Sequence, residues 1–151
     1  MTGLNHALTG AAVAAAINRP VLALPAALLS HFVTDGIPHW DYQLKPHIAR
    51  RQLVMLADLA LSAGLLLFLS LAVDANPWLI ITGGLLGILP DTMWLNFFIT
   101  GKPSETHKPK HPIHQLRRFH FKIQWSETTQ GIFIEALWFA AVLDLTLRIH
   151  H

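Results

Sequence analysis

The sequence predicts an all-α fold: a single polytopic membrane helical bundle spanning residues 1–151, with a short N-terminal helical hairpin and about three longer membrane helices. Three observations predict it. Hydrophobic residues make up 52% of the chain and charged residues only 13%, about half the charged share of an ordinary soluble domain. Several apolar runs approach the roughly 20 residues that a bilayer core requires. Nine of the eleven lysines and arginines fall in two polar stretches between those runs.

The elements follow in chain order. Ala7–Ile17 and Val21–Val33 are short apolar helices divided by "NRP". At about 1.5 Å per residue neither comfortably crosses a ~30 Å core, so they form a hairpin that is re-entrant or tilted. Leu53–Val73 and Pro77–Ile99 are long enough to span, and each carries one charge, Asp58 and Asp91 respectively. Gly131–Leu147 is a shorter third span holding Glu135 and Asp144. Apolar runs of this kind also suit the core of a soluble helical bundle, which stays open as an alternative. The opening MTGLNHALTG lacks the basic region of a secretory signal, so the first hydrophobic stretch is expected to stay in the mature protein. With no cysteine, thiolate metal sites and disulfides are excluded.

Lys45, Arg50 and Arg51 form one basic stretch; Lys102, Lys108, Lys110, Arg117, Arg118 and Lys122 form the other. Both are expected to face the cytoplasm under the positive-inside rule. That topology brings ionisable groups from separate segments to one side and a similar depth. His6 opens the first short helix; His31, Asp35, His39 and Asp41, in "SHFVTDGIPHWDY", close the second. Asp58 lies about 7.5 Å inside the third helix and Asp91 about 12 Å inside the fourth. His120 precedes the last helix, and Glu135 lies within it.

Carboxylates in an apolar bilayer cost about 2.5–3.5 kcal/mol each and therefore seek internal partners. Every lysine and arginine except Arg19 and Arg148 lies in the two basic stretches, and those two belong to the far side. A divalent cation is the economical partner for several acids accompanied by neutral imidazoles. His31 and Asp35, at i and i+4, share one helix face and can serve one metal. Donors of this type suit zinc first, with manganese or iron also compatible, as one or two ions. The candidate ligands are thus His6, His31, Asp35, His39, Asp41, Asp91 and His120. Glu135 and Asp58 are candidate catalytic groups, and Glu135 also suits a ligand or ligand-orienting role. Arg117, Arg118 and Lys122 are candidates for holding a phosphate or an anionic headgroup, although topology alone also accounts for them. Asp35-Gly36 as a plain helix end, His39-Trp40 as an interfacial anchor and Asp91 as a cap after Pro90 are the simpler alternatives.

With these residues identified, the chain resembles the YdjM-like family of small bacterial inner-membrane proteins, described as membrane-bound metal-dependent hydrolases. The resemblance rests on "NHALTGAAVAAA", on "GILPDTMW", and on a His-rich polar stretch before a final hydrophobic helix. "HFVTD" is also similar to the His-x-x-x-Asp pair of zinc-dependent phospholipase C and related single-strand nucleases. The family's "HRGxTHS"-like segment is absent, with "HPIHQLRRFH" in its region. The resemblance implies an inner-membrane hydrolase, with His6, His31, Asp35 and Asp91 matching the motif positions.

The expected function is therefore metal-dependent hydrolysis of a phosphoester in a phospholipid or other phosphorylated substrate near the cytoplasmic leaflet, with no specific nucleic-acid partner. The alternative is a non-enzymatic membrane protein that binds or transports a metal or ion.

Overall fold

A computed structural model describes residues 1–40, 48–94 and 112–149, excluding the side chains of 48–51, 94, 114 and 125. The described residues are all-helical: α1 (Gly3–Ile17), α2 (Pro20–Asp35), α3 (Ile48–Ala72), α4 (Pro77–Ile88), α5 (Pro112–Ile123) and α6 (Gly131–Leu147). Short 3-10 turns follow α4 (Leu89–Trp94) and α5 (Gln124–Ser126).

Helix boundaries follow from local chemistry. α1 is alanine-rich and ends where Asn18 enters the left-handed region (φ 48°), its N–H capping the Ala14 carbonyl. Pro20 starts α2 at a position where no backbone N–H is needed. Asn76 caps α4 by accepting the Trp78 N–H at 3.0 Å, with Pro77 behind it. The run expected to continue to Ile99 instead leaves α-geometry after Ile88, because Pro90 lacks an N–H for the ladder. The chain tightens into the Leu89–Trp94 turn, which carries Asp91. Another departure from expectation is α5, a helix starting at Pro112 where the sequence suggested a basic loop.

α1 forms the centre of the bundle. Ala7, Leu8, Ala11 and Ala15 meet Leu66, Leu69 and Val73 of α3 and its C-terminal edge, and Ile80 of α4. Phe139, Val142 and Leu143 of α6 close the cluster. Along the α1–α4 seam the backbones nearly touch: a Cβ on Gly10 would lie 2.4 Å from the Gly83 carbonyl, and one on Gly87 2.3 Å from the His6 carbonyl. Small residues spaced this way are what allow helices to pack at such close range. The outward faces remain apolar, with Leu53, Leu56, Leu59, Leu67 and Leu71 of α3 and Phe133 and Leu137 of α6 exposed. Among the described residues one stretch, Gln52–Ala72, is long and apolar enough to cross a membrane, and most of it is not buried within the protein.

Candidate metal centre

The seam fixes His6 against α4, and the α1–α2 hairpin brings the end of α2 alongside the start of α1. His31 and Asp35 therefore meet His6, and the turn after α4 delivers Asp91. α5 supplies His120 from the side: its ring meets His31 edge-on at 4.8 Å between centroids, and Phe119 packs on Phe32.

Asp35 is the hub. Its Oδ1 lies 3.0 Å from His6 Nε2 and its Oδ2 lies 3.1 Å from His31 Nε2 and 2.9 Å from His120 Nε2. Asp91 faces the same nitrogens from the other side, at 4.0 Å from His6, 3.7 Å from His31 and 3.8 Å from His120. The His31 and His120 Nε2 atoms are 3.0 Å apart. Two overlapping donor sets are close enough to hold a metal ion: His6, His31 and Asp91, and His31, Asp35 and His120. The side chains of His6, His31 and Asp35 have no exposed surface, whereas that of Asp91 is 29% exposed; His120 is also fully buried. Of these five side chains, Asp91 alone reaches the surface.

The partners of the opposite ring nitrogens indicate which nitrogen carries the proton. His31 Nδ1 donates to the Gly87 carbonyl at 2.7 Å. The Thr34 hydroxyl donates to the carbonyl of His31 or Ser30, so its oxygen accepts from His6 Nδ1 at 3.0 Å. In the neutral rings both Nε2 atoms are then bare and point lone pairs toward carboxylate oxygens. His6 Nε2 is a buried atom with no hydrogen-bond partner among the described residues. Bare nitrogens at about 3 Å from carboxylate oxygens repel each other unless a cation lies between them. The Met1 ammonium and one imidazolium would already balance the two carboxylates, whereas protonating all three rings would bury uncompensated positive charge. Imidazoles held by a carbonyl or hydroxyl on Nδ1, with Nε2 presented inward, match metal-ligating histidines. The donor set thus fits a divalent ion.

The remaining candidates are placed as follows. His39 is fully buried, but its Nδ1 lies 2.8 Å from the Ile37 carbonyl and its Nε2 3.1 Å from Gln124 Oε1, both away from the other imidazoles. Gln124 Nε2 donates in turn to Asp35 Oδ2 at 3.1 Å, so His39 meets the centre through an amide. Its backbone pairs with the segment around Glu127, accepting the Thr128 N–H at 2.8 Å. Glu135 Oε1 accepts the Trp40 N–H at 2.9 Å, and Oε2 accepts from Thr2 N and from Asn5 Nδ2 at 3.1 and 2.9 Å. This carboxylate ties α6 to the start of α1 and to the backbone beyond His39. Asp58 accepts the Leu4 N–H at 3.1 Å, satisfying a first-turn donor of α1 from α3. Arg117 donates to the Met93 carbonyl at 2.7 Å, while Arg118 and Lys122 are exposed on α5. Asp41 lies outside the described residues.

Sequence reasoning passed over Thr34, Gly87, Gln124 and the Met1 ammonium, which donates to Asp35 Oδ1 at 2.7 Å. Thr34 adjoins Asp35, and Gly87 sits in the small-residue run "GGLLG"; neither residue type signals a site by itself. No family model, curated protein or solved structure matches the chain.

Proposed function

We propose that the protein is a multi-pass membrane hydrolase that uses a divalent-metal centre to cleave a phosphoester in a phospholipid or lipid-linked phosphate. The observation that carries this reading is the convergence of three imidazole Nε2 atoms and two carboxylates from four separate elements. All donors are nitrogen or oxygen, a set that suits zinc and is compatible with manganese or iron. Such an ion acidifies a water to near neutral pKa and polarises a phosphoryl oxygen.

The chain's own residues do the rest. Gly87 and Thr34 hold the tautomers of His31 and His6, and Gln124 holds Asp35. The exposed edge of Asp91 marks where a substrate enters, and α5 flanks that edge, anchored by Arg117 near Met93. Arg118 and Lys122 offer cationic charge to an anionic headgroup there. Glu135 and Asp58 act as positioning groups that fix the first turn of α1 and hence His6.

Membrane residence is supported by the 21-residue apolar stretch of α3 and by the apolar outward faces of α3 and α6. The shorter helices would pack beside α3 as partial or tilted spans, with the basic stretches on the cytoplasmic side of a bacterial inner membrane. Carbonate extraction tests residence: release of the protein without detergent overturns it.

For the activity, detergent-purified protein is analysed for bound metal and assayed on a phospholipid panel, together with His31→Ala and Asp35→Ala. Bound metal with lipid phosphoester cleavage, both lost in the variants, is the expected result. Absence of metal refutes the centre. Bound metal without turnover on any substrate overturns the hydrolase and favours metal storage or transport.

A further inference from the structure

Both carboxylates of the centre divide their oxygens in the same way. One oxygen of each, Asp35 Oδ2 and Asp91 Oδ1, faces His31 and His120. The other, Asp35 Oδ1 and Asp91 Oδ2, faces His6. From this division we propose that the centre binds two divalent cations bridged by Asp35 and Asp91, an inference that rests on the metal reading above.

The first position is defined by His31 Nε2, His120 Nε2, Asp35 Oδ2 and Asp91 Oδ1. His31 Nε2, His120 Nε2 and Asp35 Oδ2 stand 2.9–3.1 Å apart, and Asp91 Oδ1 lies 3.7 and 3.8 Å from the two nitrogens. Donors at about 2.0–2.1 Å from one tetrahedral ion stand about 3.3 Å apart, so the first three match the shell of one ion, with Asp91 facing them. The His31 and His120 rings cross at 74°, which lets their lone pairs converge.

His6 is arranged differently. Its ring stacks on His31 with centroids 3.9 Å apart and planes only 22° from parallel. An imidazole lone pair lies in the ring plane, so two nearly parallel stacked rings aim along separate lines about one stacking distance apart. That offset matches the spacing of about 3.5–4 Å between ions in two-metal phosphoesterase sites. The second position thus takes His6 Nε2, Asp35 Oδ1 and Asp91 Oδ2, leaving the rest of its coordination to water or a phosphate oxygen. His6 Nε2 is the buried nitrogen without a hydrogen-bond partner among the described residues.

The test is metal stoichiometry and electron paramagnetic resonance on detergent-purified full-length protein, stripped with chelator and titrated with Mn(II). Two ions per chain and an exchange-coupled spectrum at saturation are expected. His6→Ala should reduce this to one ion with an uncoupled spectrum, and His6→Gln is the substitute if the alanine variant does not fold. One uncoupled ion in the unaltered protein overturns the two-ion inference and leaves the metal centre standing. Two ions retained after loss of His6 overturns the ligand assignment. No bound ion overturns the metal reading itself.

Discussion

Gly87→Ala is the substitution that tests most directly how the fold builds the site. The added Cβ would lie 2.3 Å from the His6 carbonyl and 3.4 Å from Gly10 Cα. Both neighbours are backbone, so no side chain can swing away, and the seam must open by about 1 Å to restore an ordinary contact. Overpacking of this kind costs about 1–3 kcal/mol. The better helix propensity of alanine returns ~1 kcal/mol, leaving a net loss of up to about 2 kcal/mol. At about 2–4 °C per kcal/mol for a domain this size, Tm should fall by up to roughly 8 °C. The same movement shifts His6 relative to Asp35 and stretches the His31 Nδ1–Gly87 bond, now 2.7 Å. Perturbing such a supporting bond lowers metal affinity by about 10–100-fold. The assay is a thermal melt in detergent with and without metal, alongside competitive titration against a chromophoric chelator. Gly64→Ala is the control: its Cβ meets nothing within 4 Å, so it should leave affinity unchanged and raise stability slightly. A Gly87→Ala protein with the Tm and affinity of the parent would refute the claim that the seam sets the geometry.

Further outcomes follow from the same contacts. Glu135→Gln should lower Tm, because a charged acceptor of backbone and amide donors becomes neutral, while metal content and kcat change less than about threefold; a kcat collapse at normal Tm and metal content would make it a general base instead. Metal retention should decline on acidification, since protons compete for the Nε2 lone pairs that the ions require; equilibrium dialysis at pH 8 and pH 5 measures it, and equal retention would exclude imidazole ligation. Replacing both Arg118 and Lys122 by alanine should raise KM for anionic lipid substrates several-fold with kcat little changed, and increasing salt should weaken the unaltered protein in the same way; a salt-independent KM counts against headgroup binding.

The all-helical class was legible because composition and apolar run length determine it. Gly131–Leu147 emerges with the boundaries the hydropathy suggested, since a glycine and a terminal arginine bracket it. The Pro77–Ile99 run was harder to read: apolar content continues past Pro90, but the hydrogen-bond ladder does not. α5 was obscured by its charge, because a polar helix held by only a few side chains has the composition of a loop. At the site, the His31–Asp35 pair was readable from i, i+4 spacing, and His6 and Asp91 from their depth in the expected topology. Which carboxylates would face the nitrogens was not readable. Glu135 and Asp58 share the expected depth of Asp91, but Asp58 accepts the Leu4 N–H and Glu135 accepts from Thr2, Asn5 and Trp40, a distinction that depends on tertiary packing. His39 shares its residue type with three of the candidate ligands and lies a few positions from Asp35, yet its backbone pairing near Glu127 turns the ring to Gln124.

His120 reaches His31 from 89 residues further along the chain. During synthesis, a nascent chain that has delivered only the first four helices holds His6, His31, Asp35 and Asp91 with one side of the first ion position uncovered. Under the proposed reading, tight capture of the first ion would therefore wait until α5 has emerged and docked. The ion would then tie α2 and the turn after α4 to α5, so truncated or stalled products would release their metal and be open to proteolysis.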